Sequence, residues 1–304
     1  MIITKSSQTE KLKFWQKRNF YEPCIALLFV LPALINFAVF RYYPILWSSR
    51  ASLWDYSLLG GFKEYVGFGN YTHLFEDKYF WQSLLTTLKF TIMYVPSVVG
   101  LALALAAFAN QNKPGMGAIR AIIFIPVVTS FVVVSIFWGM LLNKDVGVVN
   151  AMLQTLGFKR VSFLMDKNNA LPTIALISIW KNVGYSMIIL VAALKGVPTA
   201  LYDAAIVDGA NNWQRFWRIT IPLIRRHLMF VTIWATLGAF QVFIPVYTLT
   251  RGGPSRATRV ILYYIYEKAF IFGEMGYASA ISIILLLAIL GLSIIEMRAL
   301  RQDY

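Results

Sequence analysis

The sequence predicts an all-α membrane protein with six transmembrane helices, and three observations carry that reading. Of its 304 residues 58% are hydrophobic and only 14% are charged, where a soluble domain carries about 25% charged residues. Six stretches reach the roughly 20 mostly apolar residues that a bilayer span needs. Carboxylates are nearly missing from all six, with Glu296 at the very end of the last.

In chain order the spans are expected at 24–44, 83–109, 119–142, 171–194, 227–249 and 277–297. The first reads as a true span and not a cleaved leader. No small-x-small site follows it, and its apolar run ends in "FRYYP". Residues 1–23 then form an N-terminal segment, 24–82 the first helix with an outer loop, 83–297 a five-helix core and 298–304 a tail. Six spans put both termini on one side. The segments on that side, counted with Arg120, hold 14 Lys and Arg, against 11 in the longer loops on the other side. That bias predicts a cytoplasmic N-terminus, C-terminus and 195–226 loop. The net charge of +14 therefore reads as topology and contact with anionic lipid rather than nucleic acid. The lone cysteine, Cys24, cannot form a disulfide within the chain.

Within the spans, Lys89 and Arg41 read as snorkelling cations. Lys181, beside Trp180, either snorkels or faces a polar interior. The carboxylate and histidine chains of ion-coupled pumps are missing. His73 and His227 lack metal-ligand spacing, so no metal site is expected. Neither a phosphate-binding Gly-x4-Gly-Lys-Ser/Thr loop nor a Gly-x-Ser-x-Gly elbow occurs. No catalytic residue and no cofactor is expected in this chain. The rival to a driven transporter is a self-contained channel or facilitator.

The loop between spans four and five contains "LYDAAIVDGANNWQRFWRITIP", residues 201–222. Gly196 ends the fourth helix, and Pro198 suits the first turn of a short new one. Ala204 and Ala205 leave a bare surface on it, and Gly209 stops it by tolerating positive φ. Asn211 or Asn212 caps a second short helix, and Pro222 is expected to redirect the chain into the fifth span. The pattern is a knob suited to a partner's socket. A polar loop with aromatic anchors is the plainer reading.

This stretch resembles the signature loop of the permease subunits of binding-protein-dependent ABC importers: Glu-Ala-Ala, three residues, Gly, nine residues, Ile, one residue, Leu-Pro. Asp203-Ala204-Ala205, Gly209, Ile219 and Ile221-Pro222 stand in register, with Asp for Glu and Ile for Leu. The resemblance extends to the carbohydrate, maltose-type branch through "LPALINFAVFRYYPILWSS", "VGFGNYTHLFEDKYFWQ", "TRGGP", "YIYEKAF" and "GYASA". Thr86-Thr87 stands where that branch often has Asn-Thr. The resemblance implies a type I ABC importer transmembrane-domain fold in a bacterial or archaeal cytoplasmic (inner) membrane. It also implies a second homologous permease, two cytoplasmic ATPase subunits that bind ATP and Mg, and an external solute-binding protein. The 201–222 module becomes the coupling helix, with Tyr202, Asp203, Ala204, Ala205, Asp208, Gly209 and Ala210 facing the ATPase.

A sugar path needs amides or hydroxyls beside aromatic rings. The fourth span offers Trp180, Asn182 and Tyr185; the fifth offers Phe240, Gln241, Phe243 and Tyr247. Asn182 and Tyr185 share a helix face. Any one of these residues also fits an interhelical packing contact. By resemblance, Asn182, Tyr185, Phe240, Gln241 and Ile244 fall on the family's sugar-contact positions. Mono-, di- and oligosaccharides, glycosylated polyols and glycerol phosphates all remain open.

Overall fold

A computed structural model describes residues 23, 25–111 and 113–300 of the chain. Cys24, most of the 1–23 segment and residues 301–304 lie outside the described residues. Five helices are long and apolar enough to cross a membrane, and one bent pair makes a sixth candidate.

The first span, α1 (Ile25–Ala51), runs past the expected end at residue 44. "FRYYP" does not stop it, because a π turn at Ala38–Tyr42 precedes Pro44. The wider turn gives the proline ring the room that an α-helical carbonyl four residues back would deny it. None of the apolar window of α1 is buried within this chain, and α1 packs through its last turns onto the final helix.

The segment 52–77 is more than a loop. An antiparallel hairpin pairs β1 (Trp54–Ser57) with β2 (Gly61–Tyr65), in register Trp54 to Tyr65 and Tyr56 to Phe62. The short helix α2 (Gly69–Glu76) follows. Asp77 then caps the long α3 (Lys78–Ala109), its Oδ1 accepting from the Tyr79 N–H at 2.8 Å. Its Oδ2 accepts from the hydroxyls of Tyr264 and, at 2.7 Å, Tyr277. One carboxylate thus joins the start of the second span to the final third of the chain. Burial raises the Asp77 carboxyl, but those phenols and the N–H groups of Tyr79 and Phe80 outweigh it and hold it below its ordinary 3.8.

The expected straight span at 119–142 is corrected. It consists of α4 (Met116–Val128) and α5 (Phe131–Leu141), bent by 97° at Thr129 and Ser130. Pro126 stands in the last turn of α4, and the extended backbone of both break residues ends its helical hydrogen bonding. Beyond α5 lie α6 (Val148–Thr155) and the central helix α7 (Ala170–Lys195). Two-thirds of the apolar window of α7, 67%, is buried, against α3, α4 and a later helix, α10. Gly184 makes the closest approach: a Cβ there would stand 2.4 Å from the carbonyl oxygen of Ile123 in α4.

After α7 come α8 (Thr199–Val207) and α9 (Asn212–Arg215), which continues through a π turn at Phe216–Thr220 into α10 (Ile221–Phe240). Pro222 therefore does not redirect the chain. The same device seen before Pro44 absorbs it, with the Ile221 N–H bonded five residues back to Phe216. A break at Gln241–Phe243 leads to α11 (Ile244–Leu249), and α12 (Ile261–Tyr266) and α13 (Met275–Leu300) complete the fold.

Candidate functional site

Two cavities meet on the inner face of α7. One, of about 480 Å³, is lined by Tyr94, Val127, Asn182, Tyr185, Trp234 and Gln241 among others. The adjoining one, about 460 Å³, shares Tyr94, Asn182, Gly238 and Gln241 and reaches Phe131 and Ile244. Helical spacing explains the convergence: Trp234 and Gly238 lie four residues apart on one face of α10 and Gln241, the residue that caps its end, follows three further on, while Asn182 and Tyr185 share a face of α7. Asn182 Nδ2 donates to the Tyr94 hydroxyl at 3.1 Å. Tyr94 stacks on Phe90 with centroids 5.5 Å apart, and Tyr185 meets Trp234 at 5.6 Å. The chamber therefore offers amide donors and acceptors beside ring faces, an arrangement that matches the two surfaces of a polyhydroxylated ring.

Of the residues expected on the path, Asn182, Tyr185 and Gln241 come together, and Ile244 borders the second cavity. Phe240 does not face the chamber. It is 5% exposed and packs with Leu74, Tyr264 and Tyr277, because adjacent helical residues point about 100° apart. Trp180 turns outward against Trp138, with ring centroids 5.5 Å apart. Tyr247 joins an aromatic group with Phe243, Tyr263 and Tyr266. Sequence reasoning missed Tyr94 and Trp234. The spacing of Trp234 to Gln241 was a usable signal, whereas nothing local marked Tyr94 within an apolar helix.

Lys181 settles between its two readings on the interior one. It is 7% exposed, and its Nζ donates to the carbonyl oxygens of Pro126 at 3.3 Å and Val127 at 3.2 Å. It also lies 5.4 Å from the Phe131 ring centroid. The ammonium touches both halves of the bent span. It sits where the break frees carbonyls at the negative end of α4.

At the far end of α7, the 199–220 module is built as a rigid pair of turns. The Gly209 N–H bonds to Ile206 O at 3.0 Å and the Ala210 N–H to Ala205 O at 2.8 Å. This Schellman closure requires the left-handed φ of +76° that Gly209 adopts. Asn211 and Gln214 form a reciprocal capping box. The Tyr202 hydroxyl bonds Thr220 Oγ1 at 2.8 Å, tying the two arms. Asp203, Ala204 and Asp208 are exposed, while Tyr202, Ala205 and Ala210 are half-buried. Val207 and Trp213 stand 88% and 70% exposed, a large apolar surface for a free-standing protein to leave uncovered.

The family described as the binding-protein-dependent transport system inner membrane component matches residues 77–300. The chain belongs to that family. The lactose transport system permease protein LacF of Rhizobium radiobacter is 37% identical over 281 residues, which cover 90% of this chain and 93% of that protein. The trehalose/maltose transport system permease protein MalF of Thermococcus litoralis is 31% identical over 290 residues, which cover 95% of this chain and 96% of that protein. Among solved structures, a chain of a bacterial alginate ABC transporter, crystallised with an alginate pentasaccharide-bound periplasmic protein, superposes with a TM-score of 0.80 at 27% identity. That match covers 94% of this chain and 99% of the other. The protein is thus a permease component of a binding-protein-dependent ABC importer, with the type I transmembrane fold, and resides in the inner membrane.

Proposed function

We propose that this permease carries a sugar or sugar-like solute, delivered by an external binding protein, through the chamber between α3, α7 and α10. The observation that carries the reading is the convergence of Asn182, Gln241 and the Tyr94 hydroxyl with the rings of Tyr185 and Trp234 around one cavity. The names of the relatives, which transport lactose and trehalose or maltose, support it. The solved neighbour was captured with an oligosaccharide-loaded periplasmic protein, which supports the same solute class.

The chain supplies the path and partner subunits supply the energy. Two ATPase subunits hold ATP and Mg in the cytoplasm, and a second, homologous permease completes the channel. The 199–220 module, whose small and apolar residues are uncovered, is the seat of an ATPase subunit through Tyr202, Asp203, Ala204, Ala205, Asp208, Gly209 and Ala210. Both termini are cytoplasmic with it. ATPase closure shifts the module, and the permeases exchange inward- and outward-facing states by differential binding. Uptake by Asn182→Ala and Gln241→Ala variants in reconstituted importer tests the path. Lower uptake or an altered sugar preference is expected, with ATPase coupling retained. Wild-type uptake of every sugar by both variants overturns it.

A further inference from the structure

Another cavity, of about 560 Å³, opens between α5, α11 and the segment 143–165. It lies at the N-terminal end of α7, with the 199–220 module at the C-terminal end about 39 Å away, at 1.5 Å per helical residue. Its walls are fixed by one side chain. Asn150, 1% exposed, donates Nδ2 to the carbonyl oxygens of Asn143 at 3.1 Å and Val161 at 3.0 Å. Its Oδ1 accepts from the Val161 N–H at 2.8 Å. Thr173 Oγ1 reaches Phe163 O at 3.2 Å and so anchors the same wall to α7.

Ser135 borders this cavity, is 0% exposed, and its Oγ has no hydrogen-bond partner among the described residues. A buried hydroxyl left unmet is a standing cost to the fold, removed when a polar group enters beside it. Asn143, Ser162 and Thr248 add an amide and two hydroxyls to the lining, Lys144 and Asp145 add one charge of each sign, and Met140 and Phe163 add apolar wall. The position is equally informative. On α5, Phe131 borders the sugar chamber and Ser135, one turn on, borders this cavity. On α11, Ile244 and Thr248 repeat that relation. The two spaces are neighbours along the same pair of short helices.

We propose that this cavity is an antechamber that holds hydroxyl groups of the solute after the binding protein releases it and before it reaches Asn182 and Gln241, with Ser135 as a contact. The inference rests on the sugar reading and on the outward placement of segment 143–170. Hydroxyls and an amide beside a ring and a thioether, with one cation and one anion in Lys144 and Asp145, suit a polyhydroxylated molecule.

The test uses the complete importer in proteoliposomes with its binding protein, and lactose, maltose and trehalose as probes. Ser135→Ala breaks no side-chain hydrogen bond among the described residues, so a purely structural Ser135 leaves uptake unchanged and stability equal or higher. As a contact, its loss raises the half-saturating concentration of loaded binding protein about fivefold, the worth of one hydrogen bond. Separately, Ser162→Cys in a Cys24→Ser chain, held by vanadate, is expected to react more slowly with a maleimide when sugar is present. That protection should persist when Gln241→Ala is added. A Ser135→Ala curve that superposes on wild type overturns the antechamber, as does protection at position 162 that vanishes with Gln241→Ala. If the wild type imports none of the three sugars and nothing from a panel widened to monosaccharides, oligosaccharides, glycosylated polyols and glycerol phosphates, that overturns instead the sugar reading beneath it.

Discussion

Gly184→Ala probes the tightest helix contact beside the chamber. The added Cβ would lie 2.4 Å from Ile123 O and 3.1 Å from both Ile123 C and Phe124 Cα. Ordinary contact begins near 3.4 Å, so α4 must retreat by about 1 Å from α7. All three neighbours are backbone atoms, and no rotamer change relieves them. Overpacking of this kind costs about 1–3 kcal/mol, against a gain of up to about 1 kcal/mol for replacing a helical glycine by alanine. The cost outweighs the gain over most of that range, and a net loss of up to about 2 kcal/mol remains after the full gain is subtracted. The displacement also has a direction. Val127, one turn beyond Ile123, lines the chamber, so the wall facing Asn182 moves with α4. Gly100→Ala is the control, since a Cβ there meets nothing within 4 Å. The assay is thermal unfolding of the detergent-purified importer together with uptake in proteoliposomes. Gly184→Ala should unfold earlier and transport less, while Gly100→Ala matches wild type or exceeds it in stability. Equal behaviour of the two variants refutes the close approach.

Lys181→Met removes the cation from the Pro126 and Val127 carbonyls. Uptake is expected to fall at least about tenfold, with Lys181→Arg keeping most of it, since hydrogen bonds to a charged group are worth about 1.5–3 kcal/mol each; full activity of the Met variant would remove the elbow clamp. Asp77→Asn should lower thermal stability at pH 7. Because the folded carboxyl lies below its ordinary 3.8, its contribution is complete above that value and disappears as pH falls through the folded one. The gap between variant and wild type, measured by thermal unfolding, should therefore close in acid; a gap that is constant down to pH 3 assigns the effect to packing. Gly209→Val strains a position at φ +76° and is expected to insert and pair with the second permease while losing ATPase pull-down and uptake. Normal capture of the ATPase by this variant would reduce the module to a connecting loop.

The fold was legible wherever a long apolar run decided it, and the errors share one physical source. Pro44 and Pro222 looked like breaks, because a proline in an α-helix clashes with the carbonyl four residues back. Neither ends its helix, since the π turns at Ala38–Tyr42 and Phe216–Thr220 relieve the clash. Pro126 lies inside the expected 119–142 span, yet the chain bends by 97° shortly after it. Hydropathy is blind to this difference because it scores side chains and carries no term for backbone hydrogen bonding. The module was read more closely: Gly196 ends α7, Gly209 takes the left-handed turn and Asn211 is the cap. Its turns are closed by residues near in sequence. The chamber was half legible. Asn182 and Gln241 declare themselves as amides in apolar helices, but Phe240 was assigned to the same wall as its neighbour against helical geometry. Tyr94 reaches Asn182 across 88 positions of chain, and no local pattern carries that distance.

The breaks that sequence patterns missed or blurred are where the chamber acquires its chemistry. An unbroken helix consumes its own backbone polar groups and offers a bilayer only side chains. At Thr129–Ser130 the third span stops doing so, and the freed carbonyls of Pro126 and Val127 receive the Lys181 ammonium. At Gln241–Phe243 the fifth span breaks as well, and Gln241 at that break lines both chamber cavities. Val127 and Phe131 flank the first break and Ile244 follows the second. Both interruptions therefore border the same space. Short helices hinged at such points, α5 and α11, can turn without unfolding a full span, because their ends have already left the helical ladder. Lys181 ties the first of these hinges to the rigid central helix that also carries Asn182. If the 199–220 module is the ATPase seat proposed above, a movement it imposes on α7 reaches the chamber wall and the adjacent amide through consecutive residues of one helix.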